Sequence, residues 1–179
     1  VEHGGLRWLN ALHPAVRDFL AALVLEVVDR YGVRGVQGDD HIALPLQGSH
    51  DPPTLARYEQ ATGHPVPRWD GHPRWNRFRQ EEISRWVREL GARIHATRPE
   101  LLWSLSPCPL PRGRRQLMQD SGAWMAEGQV DLLVPQFYRA TVGAFHQVVR
   151  HTLRALPTER RRQVVAGLAL RVQIGRAHV

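Results

Sequence analysis

The sequence has no lysine, and all 24 of its basic residues are arginine. A net charge of +7 and an isoelectric point near 11.0 would ordinarily suggest a nucleic-acid partner. An all-arginine set points as much to GC-rich coding. The arginines are also spread along the chain, clustering briefly only at 112–115 and 160–162, with no basic stripe interleaved with aromatics. Nucleic acid is therefore not expected as a partner. The single cysteine, Cys108, excludes an intramolecular disulfide and a cysteine-rich zinc site. No apolar run approaches the roughly 18 residues that cross a membrane, and the first residues, VEHGGLRWLN, lack the basic-then-apolar pattern of a signal peptide. No glycine-rich phosphate loop follows any expected strand, so the usual mark of a nucleotide-binding open sheet is missing.

What is present fits one core: 179 residues, 42% of them hydrophobic. Pro14 suits a first helical turn, and Val16, Phe19, Leu20, Leu23, Val24, Val27, Val28 and Tyr31 follow at helical spacing, predicting an amphipathic helix over 14–30 that Gly32 ends. Val33–Gln37 reads as a short strand running straight into Asp39 and Asp40. The loop after them, IALPLQGSHDPP, is long and rich in turn formers, as binding loops are. A short helix is expected over 54–62 and a long one over 73–97, the latter with Trp75, Phe78, Ile83, Trp86, Val87, Leu90 and Ile94 on its core face. Strands are expected at 101–106, 130–137 and 164–170, helices at 116–127 and 142–156, and Leu6–Leu9 as a further strand end. Pro135 is awkward inside a central strand and leaves the end of 130–137 irregular.

Alternation of helix and strand predicts a parallel sheet with right-handed crossovers. Long loops after the strands favour a barrel over an open sheet. A full barrel needs about 250 residues, so the expected fold is α/β, a partial (β/α)8 TIM barrel of four to five βα units truncated at both ends. The segment Ile174–Val179, IGRAHV, resembles the translation of a common sequencing adapter. Residues 1–172 are accordingly expected to form the domain and 173–179 a non-native tail.

Five ordered stretches resemble the glycosyl-hydrolase-like family ten, bacterial proteins that include enzymes acting on peptidoglycan glycan strands. They are WLNALHPAVRDFLAALVLEVVDRYGVRG at 8–35, VQGDDHIALP at 36–45, the segment from Tyr58 to Gly63, LLWSLSPCP at 101–109 and GQVDLLVPQFYR at 128–139. The chain departs from the family pattern at Arg34, usually Asp, at Gly38, usually an aromatic, and at Cys108, usually Asn. It also has Gly122-Ala123-Trp124 after Asp120, where Trp is typical. The resemblance implies a TIM barrel that hydrolyses O-glycosidic bonds of a cell-wall or other polysaccharide, in the periplasm or outside the cell, without a cofactor.

That chemistry needs two carboxyl groups. Asp39 or Asp40 supplies one, while its neighbour caps or anchors the next loop. Strand residues alternate sides, so both aspartates reach one site only if the chain bends after Gly38. For the second acid the candidates are Asp51 and Asp120, or a residue outside this sequence. His41, Ser106, Gln136, Tyr138 and Arg139 lie where they could contact substrate, though packing in loops accounts for them equally well. Two other readings stay open: a non-catalytic carbohydrate-binding barrel, and a metal-dependent hydrolase using Asp39, Asp40 and His41. Against the second, three consecutive residues seldom converge on one ion.

Overall fold

A computed structural model describes residues 2–3, 6–7 and 9–169. Two short strands, β1 (Glu2–His3) and β2 (Leu6–Arg7), pair antiparallel with each other. Then follow α1 (Pro14–Arg30), β3 (Gly35–Gly38), α2 (Pro52–Thr62), α3 (Pro73–Thr97), β4 (Leu102–Leu105), α4 (Arg112–Leu117), α5 (Ser121–Ala126), β5 (Leu132–Leu133) and α6 (Val142–Arg154). A 3-10 turn at Thr158–Gln163 comes last. The sheet β3-β4-β5 is parallel, in chain order, with Gly35 opposite Leu102, Gly38 opposite Leu105 and Leu105 opposite Leu133. Two isolated parallel bridges, Leu133 to Val164 and Gln136 to Gly167, continue it on the far side of β5.

Local chemistry sets the helix ends. Proline occupies the first turn of α1, α2 and α3, where its missing N–H costs nothing. Asp51 caps α2 by accepting from the Thr54 N–H at 3.2 Å, and Gly63, at φ 67°, turns the chain out of that helix in the left-handed region. Thr141 caps α6 through the Ala144 N–H.

α3 places Trp75, Phe78, Ile83, Trp86, Val87, Leu90 and Ile94 in the core, as its spacing predicts. It can approach β4 because Gly91 lies against Trp103. A Cβ there would come within 2.9 Å of the indole and 3.2 Å of the Gln129 carbonyl. Among the charged groups, the carboxylate of Glu82, its side chain only 3% exposed, receives Arg17 at 2.8 Å, Arg57 at 2.7 Å and Arg85 at 2.9 Å, tying α1 and α2 to α3. At the far end of α3, Asp131 accepts from the Trp103 N–H at 2.8 Å and lies 3.0 Å from His95 Nε2.

Several expectations are corrected. α1 packs through Arg17, Ala21 and Val28, with Leu20, Val24 and Leu25 half-buried against the core as the spacing predicts, while Phe19, Leu23, Val27 and Tyr31 are exposed. Its apolar residues span too wide an arc for one neighbour, and Arg17 pairs with Glu82 on the side that turns inward. The helix ends with Tyr31 in an extended conformation, so Gly32 is not its stop. Leu6–Arg7 pairs with Glu2–His3 rather than with the parallel sheet. The helix expected over 116–127 is two helices, broken where Met118 turns left-handed at φ 58°. The strand expected at 130–137 shrinks to two residues, and the one at 164–170 to single bridges at Val164 and Gly167, with Leu170 outside the described residues. Pro135 explains both, since it has no N–H to give and splits the ladder into pieces on either side of itself. The segment 173–179 also lies outside the described residues.

Candidate active site

β3 and β4 run in parallel, so their C-terminal ends share one edge, and the loops leaving that edge carry most of the candidate residues. The chain bends directly after Gly38. The Ile42 N–H reaches back to the Asp39 carbonyl at 3.4 Å, and the Asp39 side chain accepts from the His41 N–H at 2.8 Å, forming a tight side-chain-capped turn. This bend defeats the alternation that would send adjacent aspartates to opposite faces. His41 Nδ1 consequently lies 3.2 Å from Asp39 Oδ2 and 3.3 Å from Asp40 Oδ1. The three side chains present donor atoms that all lie within 4.8 Å of one another. Asp39 is 64% exposed and Asp40 35%. Asp40 is the more enclosed carboxylate.

The neighbouring loops are bonded to this turn. The Ser106 N–H donates to the Gly38 carbonyl at 2.7 Å. The Gln136 side chain donates to the Ser106 carbonyl at 3.1 Å, and its backbone N–H to the Pro107 carbonyl at 3.0 Å. Tyr138 and Arg139 follow on the same rim, both exposed. The Cys108 thiol, half-buried there, is pushed above its ordinary pKa by burial; Arg112 and Arg139 oppose that shift and Asp40 adds to it. The structure therefore gathers Asp39, Asp40, His41, Ser106 and Gln136, with Tyr138 and Arg139 beside them.

Asp51 and Asp120 are engaged elsewhere. The Asp51 carboxylate accepts from the Thr54 N–H, the Thr54 hydroxyl and the Asn10 amide at the start of α2. Asp120 lies 3.2 Å from Arg114 Nε and lines a groove between α3 and α5.

Two residues that the sequence reading passed over hold the loop in place. Arg79, fully buried, donates to the carbonyls of Pro45 at 3.0 Å, Leu46 at 2.9 Å and Asp70 at 3.2 Å, with Trp75 beneath its guanidinium. Burial lowers its pKa to about 10, and nearby Asp70 opposes the shift, so it stays charged at neutral pH. Gln119, also fully buried, donates to the carbonyls of Asp40 at 2.9 Å and Ile42 at 3.2 Å. A glutamine beside a turn carries no sequence signal for this; Arg79, an arginine on the aromatic face of α3, did offer one.

An alternating α/β chain with a parallel sheet carries its functional residues on the loops at the C-terminal edge of that sheet, which is where Asp39 and Asp40 lie. The chain belongs to the glycosyl hydrolase-like 10 family, whose model matches residues 2–177. It is 26% identical over 142 residues to the glycosyl hydrolase DigH of Escherichia coli O6:H1, covering 70% of this chain and 30% of DigH. To the glycosyl hydrolase YngK of Bacillus subtilis it is 25% identical over 141 residues, covering 70% of this chain and 26% of YngK. The chain thus spans less than a third of the length of these relatives. Among solved structures it resembles the glycoside hydrolase domain of PgaB (BpsB) from Bordetella bronchiseptica, with a TM-score of 0.72 at 14% identity, over 94% of this chain and 53% of that one. That likeness is one of fold.

Proposed function

We propose that residues 1–172 form part of a TIM barrel and carry one carboxylate of a site that hydrolyses O-glycosidic bonds in a bacterial cell-wall or related polysaccharide. The observation carrying this reading is the turn that draws Asp39, Asp40 and His41 together at the C-terminal edge of the sheet. Parallel strands in chain order, with one sheet face bearing exposed Gln37 and Leu102, support the barrel. The roles divide between the aspartates. Asp39 is committed to the turn through the His41 N–H, so Asp40 is the acid or nucleophile, with His41 beside it. Gln136, Tyr138 and Arg139 supply sugar contacts along the rim, and Ser106, buried behind it, holds the Gln136 amide through its carbonyl. Since Asp51 and Asp120 are held by other partners, the second carboxylate comes from the remainder of a protein as long as the relatives.

The test uses purified peptidoglycan glycan strands and measures new reducing ends. Asp40→Asn should lower cleavage by about 10²-fold or more, the lower range for loss of a general acid–base group, and Asp39→Asn by less. If both variants cleave at the parent rate, the carboxylate reading is wrong. The 4.8 Å convergence of Asp39, Asp40 and His41 also favours a second reading, a metal-dependent hydrolase. Stoichiometric metal in purified protein, with activity lost to a chelator, would select it. Binding of strands with no cleavage by a protein of the relatives' full length would select a non-catalytic barrel.

A further inference from the structure

Gln119 spends every polar atom of its side chain on the backbone of the candidate site. Its Nε2 donates to the Asp40 carbonyl at 2.9 Å and the Ile42 carbonyl at 3.2 Å, while its Oε1 accepts from the Cys108 N–H at 3.0 Å. The side chain is fully buried, so none of these bonds is shared with water. One amide therefore joins the loop after β3 to the loop after β4, at the residues on which the chemistry depends.

Its own placement is over-determined. Met118 in the left-handed region aims Gln119 inward, and the Gln119 N–H donates to the Gly113 carbonyl at 3.1 Å. Gly113 permits this closeness, because a Cβ there would lie 2.5 Å from the Cys108 carbonyl and 3.2 Å from Gln119 Oε1. The Leu44 N–H donates to the Leu117 carbonyl at 3.0 Å, tying the same two segments once more. The break between α4 and α5, which a continuous helix would not provide, is what delivers the amide.

We infer that Gln119 is a positioning residue for the Asp39–Asp40 turn, fixing where the Asp40 carboxylate sits relative to the glycan; this rests on the glycosidase reading. It touches no substrate. Its effect is on geometry, so removing it should lower kcat while leaving KM nearly unchanged, since displacements of about 1 Å can cost on the order of 10²-fold in rate.

Gln119→Glu gives the sharpest readout. A protonated carboxyl can accept from the Cys108 N–H and donate to one carbonyl, whereas the ionised form has no proton to give and faces the Asp40 and Ile42 carbonyls with charge. Activity of Gln119→Glu should therefore recover as pH falls, relative to the parent at each pH, and that of Gln119→Leu should not. Cys108, the only thiol in the chain, reports on the clamp without any need for activity. Its modification by a disulfide-exchange reagent should be faster in Gln119→Leu than in the parent, because the loop holding Cys108 loses its bond to Gln119 Oε1. Both variants are scored only where circular dichroism and the thermal midpoint show a folded protein; if Gln119→Leu does not fold, Gln119→Glu at low and neutral pH decides.

Unchanged thiol reactivity in folded Gln119→Leu, or a Gln119→Glu pH profile that parallels the parent's, would overturn the inference. Failure of the glycosidase reading looks different. Asp40→Asn and Asp39→Asn would cleave like the parent while the Cys108 readout still responded to Gln119.

Discussion

Replacing Glu82 by leucine should be among the most destabilising single changes available in this chain. The carboxylate is buried and serves three guanidinium groups, of which Arg17 is itself only 8% exposed while Arg57 and Arg85 are 29% and 47% exposed. Burial lowers the Arg17 pKa, and Glu82 is the largest influence opposing it. Without Glu82, Arg17 retains the Ala11 and Glu82 carbonyls and a distant Glu89, 3.7 Å away and half exposed. Removing one partner of a buried pair costs about 3–5 kcal/mol, whereas the more exposed pairs with Arg57 and Arg85 contribute less than about 1 kcal/mol each. A loss of about 3–4 kcal/mol corresponds to a fall of roughly 6–16 °C in thermal midpoint for a chain of this size. Glu82→Gln keeps an acceptor without the charge and should lose less. Replacing both partners, Arg17→Met with Glu82→Leu, should recover much of the difference, since the cost lies in the charge left behind. Urea unfolding followed by circular dichroism would measure all three variants. A Glu82→Leu protein within about 1 kcal/mol of the parent, or a double variant no better than the single one, would refute the argument.

Gly38→Ala should cost about 1–3 kcal/mol, the range for overpacking, because a Cβ there would lie 2.2 Å from Ile42 Cδ1 and 2.7 Å from Leu105 Cδ2. Adding Ile42→Val removes the nearer atom and should restore part of the loss in urea titrations. The Cys108 thiol, its pKa raised by burial, should react more slowly with iodoacetamide at pH 8 than an open thiol. The sign for stability follows from linkage. Between the thiol's unfolded and folded pKa values the unfolded chain binds fewer protons, so the Cys108 contribution falls as pH rises, and Cys108→Ser should flatten that part of the stability–pH curve.

Long periodic stretches were legible from sequence. The face of α3 is read directly from Trp75 to Ile94, because seven apolar residues recurring on one side leave a helix little choice of orientation. α1 shows the limit of the same rule, since its apolar residues run most of the way round and the buried side includes Arg17, paired with Glu82 65 positions away. The β strands were found but overextended, because apolar composition does not reveal that Pro135 interrupts the ladder. At the site, the Asp39–Asp40 pair was visible as an acidic strand end. The local bonds that shape the Asp39–His41 turn and cap α2 with Asp51 involve residues only two and three positions apart, and the Asp before Pro52 is a readable helix start. What could not be read was that the Asn10 amide also reaches Asp51 and the Gln119 amide the Asp40 carbonyl, since no spacing rule connects them to the aspartates.

The bonds from Gln119 fall on the carbonyls of Asp40 and Ile42 and on the N–H of Cys108, which every residue except proline can offer in full. The trace of the loop is thus insulated from the identity of the side chains it displays. Positions 41 and 108 can be exchanged with little effect on backbone course, which makes this rim a place where a lineage can try new side chains, such as Cys108, without first rebuilding the scaffold. The same insulation would serve an engineer, who could vary those positions in a library while holding Gln119, Gly113 and Leu117 constant.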